Sequence, residues 1–241
     1  MDETIKKLFY DPKTGYISAN KLFEKLKELG YNISLHDIKE VLAKQKINQI
    51  YKQPTAHNKN YISITSHGVK DIFQVDLLDM HQYAKFNNGI KSLLVCVDVY
   101  SRYCFVVLMK TKTIDDIIEA FKLVFKNMGV PVCLTTDLEP AMLSNEFQKI
   151  IKDKKIQHYQ NNPTKKRNNG IVERMNRNIR EKLRAYMEVN KTNNWVDVIN
   201  DIIENYNNTM HSTIKAKPID VWTGKSDNKQ IINQGKSVFS V

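Results

Sequence analysis

Apolar positions change their period along this 241-residue chain, and the changes divide it. Within the first fifty residues, Leu22, Phe23, Leu26 and Leu29 share one helical face, and Leu35, Ile38, Val41 and Leu42 share another. This predicts helices over 18–29 and 34–45, punctuated by Gly30, with Ser18 and Ser34 as N-caps. Ser34 followed by Asp37 resembles a capping box. Two helices with a tight connection suit a helix-turn-helix and a small bundle equally, so DNA contact by this unit stays open. Residues 51–70 are polar and turn-rich around Pro54, as in a linker.

Beyond residue 70 the pattern becomes strand-like. Residues 72–78 form an apolar run with Asp76 at its centre, and 91–100 and 103–109 are β-rich runs split by Ser101-Arg102, which predicts a hairpin. Ile114, Ile117, Ile118, Phe121, Val124 and Phe125 give helical spacing over 114–128, closed by Gly129-Val130-Pro131. A short buried strand at 132–136 ends at Asp137, a helix runs to about 154, and 156–159 is a further strand. Residues 161–169 (NNPTKKRNN) have no apolar side chain to pack beyond Pro163 and read as a loop; helices follow over 170–189 and 195–208. Three antiparallel-type strands followed by alternating helix and strand predict an α/β fold, with a mixed sheet of about five strands flanked by helices. The implied domains are a small helical domain at 1–52, a linker at 53–70, a core at 71–225 and a tail at 226–241.

Composition narrows the function. Hydrophobic residues are 41% and charged residues 26%, a globular balance rather than a disordered one. No apolar run approaches the ~18 residues a membrane span needs, and acid at Asp2 and Glu3 does not suit a signal peptide. A soluble protein without a membrane partner is therefore expected. Cys96, Cys104 and Cys133 lie in apolar runs without a CxxC pair and read as buried, reduced thiols. The formal charge of +11 calls for a polyanion. Residues 151–241 hold 17 basic against 9 acidic side chains, whereas 71–150 hold 8 against 10. Such a layout fits a carboxylate cluster between nucleic-acid-binding flanks.

Asp76 inside an apolar strand needs a compensating charge, either a distant base or a cation. Asp137 at a strand end and Glu173 at a helix start are the acids a cation could share with it. Mg²⁺ takes few protein carboxylates, and two such ions can serve in-line phosphoryl transfer.

The chain resembles the retroviral-type integrase superfamily, and most closely the integrases of large self-synthesising DNA transposons and their viral relatives. The resemblance rests on residues 71–76 (DIFQVD), 95–102 (VCVDVYSR), 135–137 (TTD), 169–176 (NGIVERMN), 206–209 (YNNT) with His211, then Lys217-Pro218 and Trp222. Asp137 and Glu173 have 35 residues between them, as the family's last two catalytic acids do. The resemblance implies an RNase H-like core in which Asp76, Asp137 and Glu173 are the catalytic and metal-binding acids. It implies two Mg²⁺ ions, with Mn²⁺ able to substitute, and a DNA integrase that processes 3′ ends and joins them to target DNA. Double-stranded DNA, a homo-multimer, and action inside the cell on host nuclear or genomic DNA follow from the same likeness, with carriage in a virion left open. The rival readings are a cut-and-paste transposase, an RNase H-like nuclease, or a DNA-binding protein whose catalytic site has decayed.

The chain departs from the family at Leu138-Glu139-Pro140, where a small or polar residue and Gly usually follow the second Asp, and Glu139 adds a competing carboxylate. Asp98 matches a non-catalytic family position and is read as structural. No cysteine precedes Cys96, so His36, His57 and His67 lack the partners of the retroviral zinc site and no zinc is expected. The tail after Trp222 is too short for the family's C-terminal DNA-binding module, which is read as absent or truncated.

At 100° per residue from Ile171, Glu173, Arg177, Arg180 and Arg184 fall at about 200°, 240°, 180° and 220°, opposite the apolar residues at about 0° to 120°. The resemblance makes Arg177 and Arg180, and less directly Arg184, DNA contacts. Lys165, Lys166 and Arg167 occupy the family's mobile active-site loop and are expected to hold the DNA backbone.

Overall fold

The structure is a computed structural model that describes residues 1–45, 66–160 and 169–227. Three helices open the chain: α1 (Asp2–Tyr10), α2 (Ala19–Glu28) and α3 (Leu35–Ala43). Their apolar faces meet in one small core of Ile5, Phe9, Leu22, Leu26, Ile38, Val41 and Leu42. The Ser34 hydroxyl caps α3 by accepting from the Asp37 N–H at 3.1 Å, as its sequence suggests, whereas Ser18 caps α2 without a side-chain bond.

A five-stranded mixed sheet follows, in the order β3-β2-β1-β4-β5. Its strands are β1 (Ile72–Asp79), β2 (Ser92–Asp98), β3 (Cys104–Met109), β4 (Cys133–Thr136) and β5 (Gln157–Gln160), with a 3-10 helix at His81–Phe86. The β1–β2–β3 meander is antiparallel, and β4 and β5 run parallel to β1. Helix α4 (Ile114–Met128) connects β3 to β4, capped by Thr113 and stopped by Gly129 at φ 80. The single helix expected after Asp137 is instead two, α5 (Pro140–Leu143) and α6 (Asn145–Asp153), because Ser144 ends one and caps the other. On the opposite face of the sheet lie α7 (Gly170–Asn190) and α8 (Ile199–Asn207), while the short α9 (Pro218–Trp222) sets Trp222 against Phe73 and Tyr103. Trp195 is fully buried in that second layer with Ile179, Leu183 and Ile199, but precedes α8 rather than belonging to it.

The sheet is thus covered on both faces, one by Phe73, Phe121 and Phe147 and the other by Val95, Val97 and Leu183. All three cysteines are buried and unpaired. Burial pushes the Cys104 thiol up, which keeps it protonated and unreactive. Residues 66–70, expected as linker, pack on the core: the Lys70 N–H donates to Asp98 at 2.9 Å, and its ammonium lies 5.6 Å from the Trp222 ring centroid. No helix among the described residues is long and apolar enough to cross a membrane.

Candidate active site

Asp76 and Asp137 are brought together by strand register. Strands β1 and β4 are parallel neighbours with Val75 opposite Thr136, so each Asp is the next residue at adjacent positions. Helix α7 is then fixed to β1 by Gln74, fully buried two residues before Asp76 on the same side of the strand. The Gln74 Oε1 accepts from the N–H groups of Ile171 at 3.1 Å and Val172 at 3.2 Å. One side chain thereby satisfies two N-terminal helix donors and sets the helix start beside the strand. Glu173, in that first turn, acquires its place from this bond.

Both aspartates are held by asparagines of the α7 region. Asn176 Nδ2 donates to Asp76 Oδ2 at 2.7 Å, and Asn169 Nδ2 donates to Asp137 Oδ1 at 2.8 Å. The Leu77 N–H donates to Asp76 Oδ1 at 2.8 Å. Each carboxylate oxygen keeps lone-pair capacity after these bonds. The acids also repel one another. Burial first, then the charge of Asp137, with smaller contributions from Glu173 and Glu139, together push the Asp76 pKa up to about 6 against the opposing Leu77 N–H. Glu139 therefore belongs to the acidic cluster, while its backbone caps α5 and Pro140 opens that helix.

An all-oxygen, mutually repelling donor set fits a hard divalent cation, whose charge would reverse the repulsion. Among the described residues, however, no three His, Cys, Asp or Glu side chains gather closely enough to hold an ion. Glu173 is exposed, and it is the least constrained of the three acids.

The outer face of α7 follows its sequence pattern: Arg177, Arg180 and Arg184 are exposed, and Val172, Met175, Ile179 and Leu183 are buried. Lys182 departs from that division, being buried on the apolar side near Lys21 and Lys25. Lys165, Lys166 and Arg167 lie outside the described residues, as does His57. Asp98 closes the β2–β3 turn, accepting from the Ser101 N–H at 2.7 Å and the Ser101 hydroxyl at 2.6 Å, a structural use. His36 and His67 are exposed residues. Sequence reasoning passed over Gln74, Asn169 and Asn176. The run 169–176, with an amide at each end of Glu173's turn, was the available signal.

Residues 67–166 match the model of the integrase core domain. The chain is 31% identical over 163 residues to a transposon-derived protein of Caenorhabditis elegans, covering 67% of this chain and 56% of that protein. It is 31% identical over 140 residues to the retrovirus-related Pol polyprotein from transposon gypsy of Drosophila melanogaster, covering 56% of this chain and 13% of the polyprotein. The chain thus spans about half of the first relative and a small part of the polyprotein. Among solved structures, the HTLV-2 integrase catalytic core domain in complex with magnesium superposes with a TM-score of 0.54 at 24% identity, covering 66% of this chain and 99% of that one. A chain of the simian T-cell lymphotropic virus intasome in complex with PP2A regulatory subunit B56 gamma gives 0.65 at 16% identity, over 100% of this chain and 79% of that one. At these identities the superpositions speak for the fold: five strands and flanking helices in the RNase H-like arrangement.

Proposed function

We propose that this chain, whose residues 67–166 match the integrase core domain, is a retroviral-type integrase that joins the 3′ ends of an element's or virus's DNA to target DNA. The observation that carries the reading is the meeting of Asp76 and Asp137 at adjacent strand ends, with Glu173 coupled to them through the Gln74-anchored helix.

Two reactions would use the same pocket. In the first, water attacks a phosphorus near the 3′ end, the P–O3′ bond breaks, and a free 3′-OH is left. In the second, that 3′-OH attacks a target phosphorus, and the target's own P–O3′ bond breaks. Asp76, Asp137 and Glu173 are the residues that would hold two Mg²⁺ ions, or Mn²⁺ in their place. Bound there, the ions would supply activation of the attacking oxygen and stabilisation of the leaving one. The chain's own part is orientation: Asn176 and Asn169 fix the two aspartates, so little reorganisation is needed when the charge is neutralised. The exposed Arg177, Arg180 and Arg184 would lie against DNA phosphates, as would Lys165, Lys166 and Arg167. A homo-multimer would hold paired DNA ends, and the target would be genomic DNA.

One observation favours a second reading, a DNA-assembly protein without catalysis: the turn after Asp137 is the altered Leu138-Glu139-Pro140. Duplex oligonucleotides with free 3′-OH ends, incubated with supercoiled plasmid with and without Mg²⁺, separate the readings. Mg²⁺-dependent joined products are expected. Cutting without joining would assign a nuclease, and binding without either would assign the assembly role.

A further inference from the structure

A basic cluster lies where the N-terminal helices meet the core. Arg102 occupies the β2–β3 turn at φ 63, and its carbonyl accepts from the Tyr206 hydroxyl at 3.1 Å. Its Nη1 is buried with no hydrogen-bond partner among the described residues. Arg174 of α7 repels the Arg102 charge, and Arg102, Lys21 of α2 and Arg174 all act on His211 in the same sense. Burial and these three cations hold the His211 pKa down to about 4.

The imidazole is also fixed in place. His211 pairs with Ala216 in a β-bridge, and its ring stands edge-on to Tyr206 with centroids 6.2 Å apart. Its Nδ1 accepts from the Thr213 N–H at 3.3 Å, so in the neutral ring the proton is on Nε2, which is left as a donor.

What the cluster lacks is an acid. None of Arg102, Arg174, His211 and Lys21 makes an ion pair among the described residues. Asp98 and Tyr206 favour the Arg102 charge, but the Asp98 oxygens already accept from Lys70 and Ser101. Lys182, near Lys21 and Lys25, extends the positive field, and Lys25 is engaged with Asn205. Residues 46–65, 161–168 and 228–241 contain no Asp or Glu, so those segments hold no carboxylate side chain to answer it. A buried guanidinium N–H without a partner and a ring of like charges are both costly, and an oxyanion relieves both. Arg174 is exposed and the other three are partly buried, which leaves the cluster open to solvent.

We propose that Arg102, Arg174, His211 and Lys21 bind one phosphate group of the DNA backbone at the seam between the N-terminal helices and the core. A guanidinium fork, an imidazole N–H and an ammonium suit a tetrahedral oxyanion. Lys21 comes from the helical unit and the other three from the core, so a bound phosphate ties the two together. The N-terminal unit then contributes to DNA binding through a shared phosphate site rather than through a helix in a groove. The choice of DNA as the phosphate's source rests on the integrase reading; the anion site itself does not.

The test is thermal melting of the full chain in inorganic phosphate against chloride at matched ionic strength, followed by DNA binding across a salt series. Phosphate should raise the wild-type midpoint by about 3–5 °C, and H211Q and R174Q should lose that rise. R102K, which keeps the charge without the fork, should reduce it. For a short duplex, K21Q and R174Q should each lower the slope of log affinity against log salt by about 0.9. No phosphate-specific stabilisation of the wild type, or stabilisation that H211Q and R174Q retain, would overturn the site. Stabilisation with unchanged slopes in K21Q and R174Q would overturn DNA as its occupant. Joining activity is not read, so a failure of the integrase reading would register separately.

Discussion

Glu173 and Arg174 are neighbours near the start of α7, yet they serve opposite electrostatic environments. Glu173 couples to Asp76 in an acidic pocket, and Arg174 couples to Arg102 and His211 in a basic one. The acidic pocket is built on adjacent strand ends, and amides of Asn169 and Asn176 hold its carboxylates. The basic cluster draws instead on the β2–β3 turn, α2, α7 and the segment after α8. The difference separates two tasks: fixed strand ends suit chemistry that needs orientation, and converging cations suit gripping a flexible backbone.

The widest gap between the regions should appear in single-turnover joining at saturating DNA. D76N or E173Q should slow it by at least about a thousandfold, ~4 kcal/mol of transition-state stabilisation, whereas R174Q should weaken binding and spare the rate on bound DNA. Equal losses of rate in all three variants would erase the distinction.

Stability against pH gives the next contrast. The Asp76 pKa is raised on folding, so the metal-free fold is favoured below the unfolded value near 3.8 and loses that advantage as pH rises through about 6. D76N should therefore stabilise the metal-free protein at pH 7, by at most ~3 kcal/mol and less with solvent screening, and not at pH 3. Chemical denaturation at both pH values measures this; a D76N that is less stable at pH 7 would contradict it.

The asparagines sharpen the orientation claim. N169A or N176A should lower joining by about 10–100-fold through weaker metal holding, with more Mg²⁺ restoring part of the rate. A loss unresponsive to Mg²⁺ would assign them to folding instead. At the seam, Asn205 Nδ2 donates to the carbonyls of Pro12 at 3.2 Å and Gly15 at 2.9 Å. N205A should cost about 1–3 kcal/mol in denaturant melts without changing the rate on bound DNA. Smallest of all, R177Q and R180Q should each lower the salt slope of DNA binding by about 0.9.

Much of the core was legible because its signals are local. Helix α4 begins and ends at the residues its spacing predicts, since Thr113 caps it and Gly129 stops it. Strands β1 to β3 match their apolar runs to within a few residues. Helix α1 was not read, because Ile5 and Phe9 give too short a pattern until α2 and α3 supply their other wall. Lys182 and Ala185 are buried where α7 meets the N-terminal unit, with Lys21 near the one and Tyr16 packed with the other, a contact that no periodicity encodes. The acids themselves were visible as chain order and spacing. Gln74, Asn169 and Asn176 were not, since an amide becomes a positioning group only when a strand and a helix far apart in sequence bring it to a carboxylate.

The most direct test counts Mn²⁺ ions bound per chain in the presence of a duplex end, by electron paramagnetic resonance, for the wild type and D76N. Two ions in the wild type and loss of binding in D76N are expected. No bound ion in the wild type, or an unchanged count in D76N, would contradict the assignment of Asp76, Asp137 and Glu173 as the reaction centre.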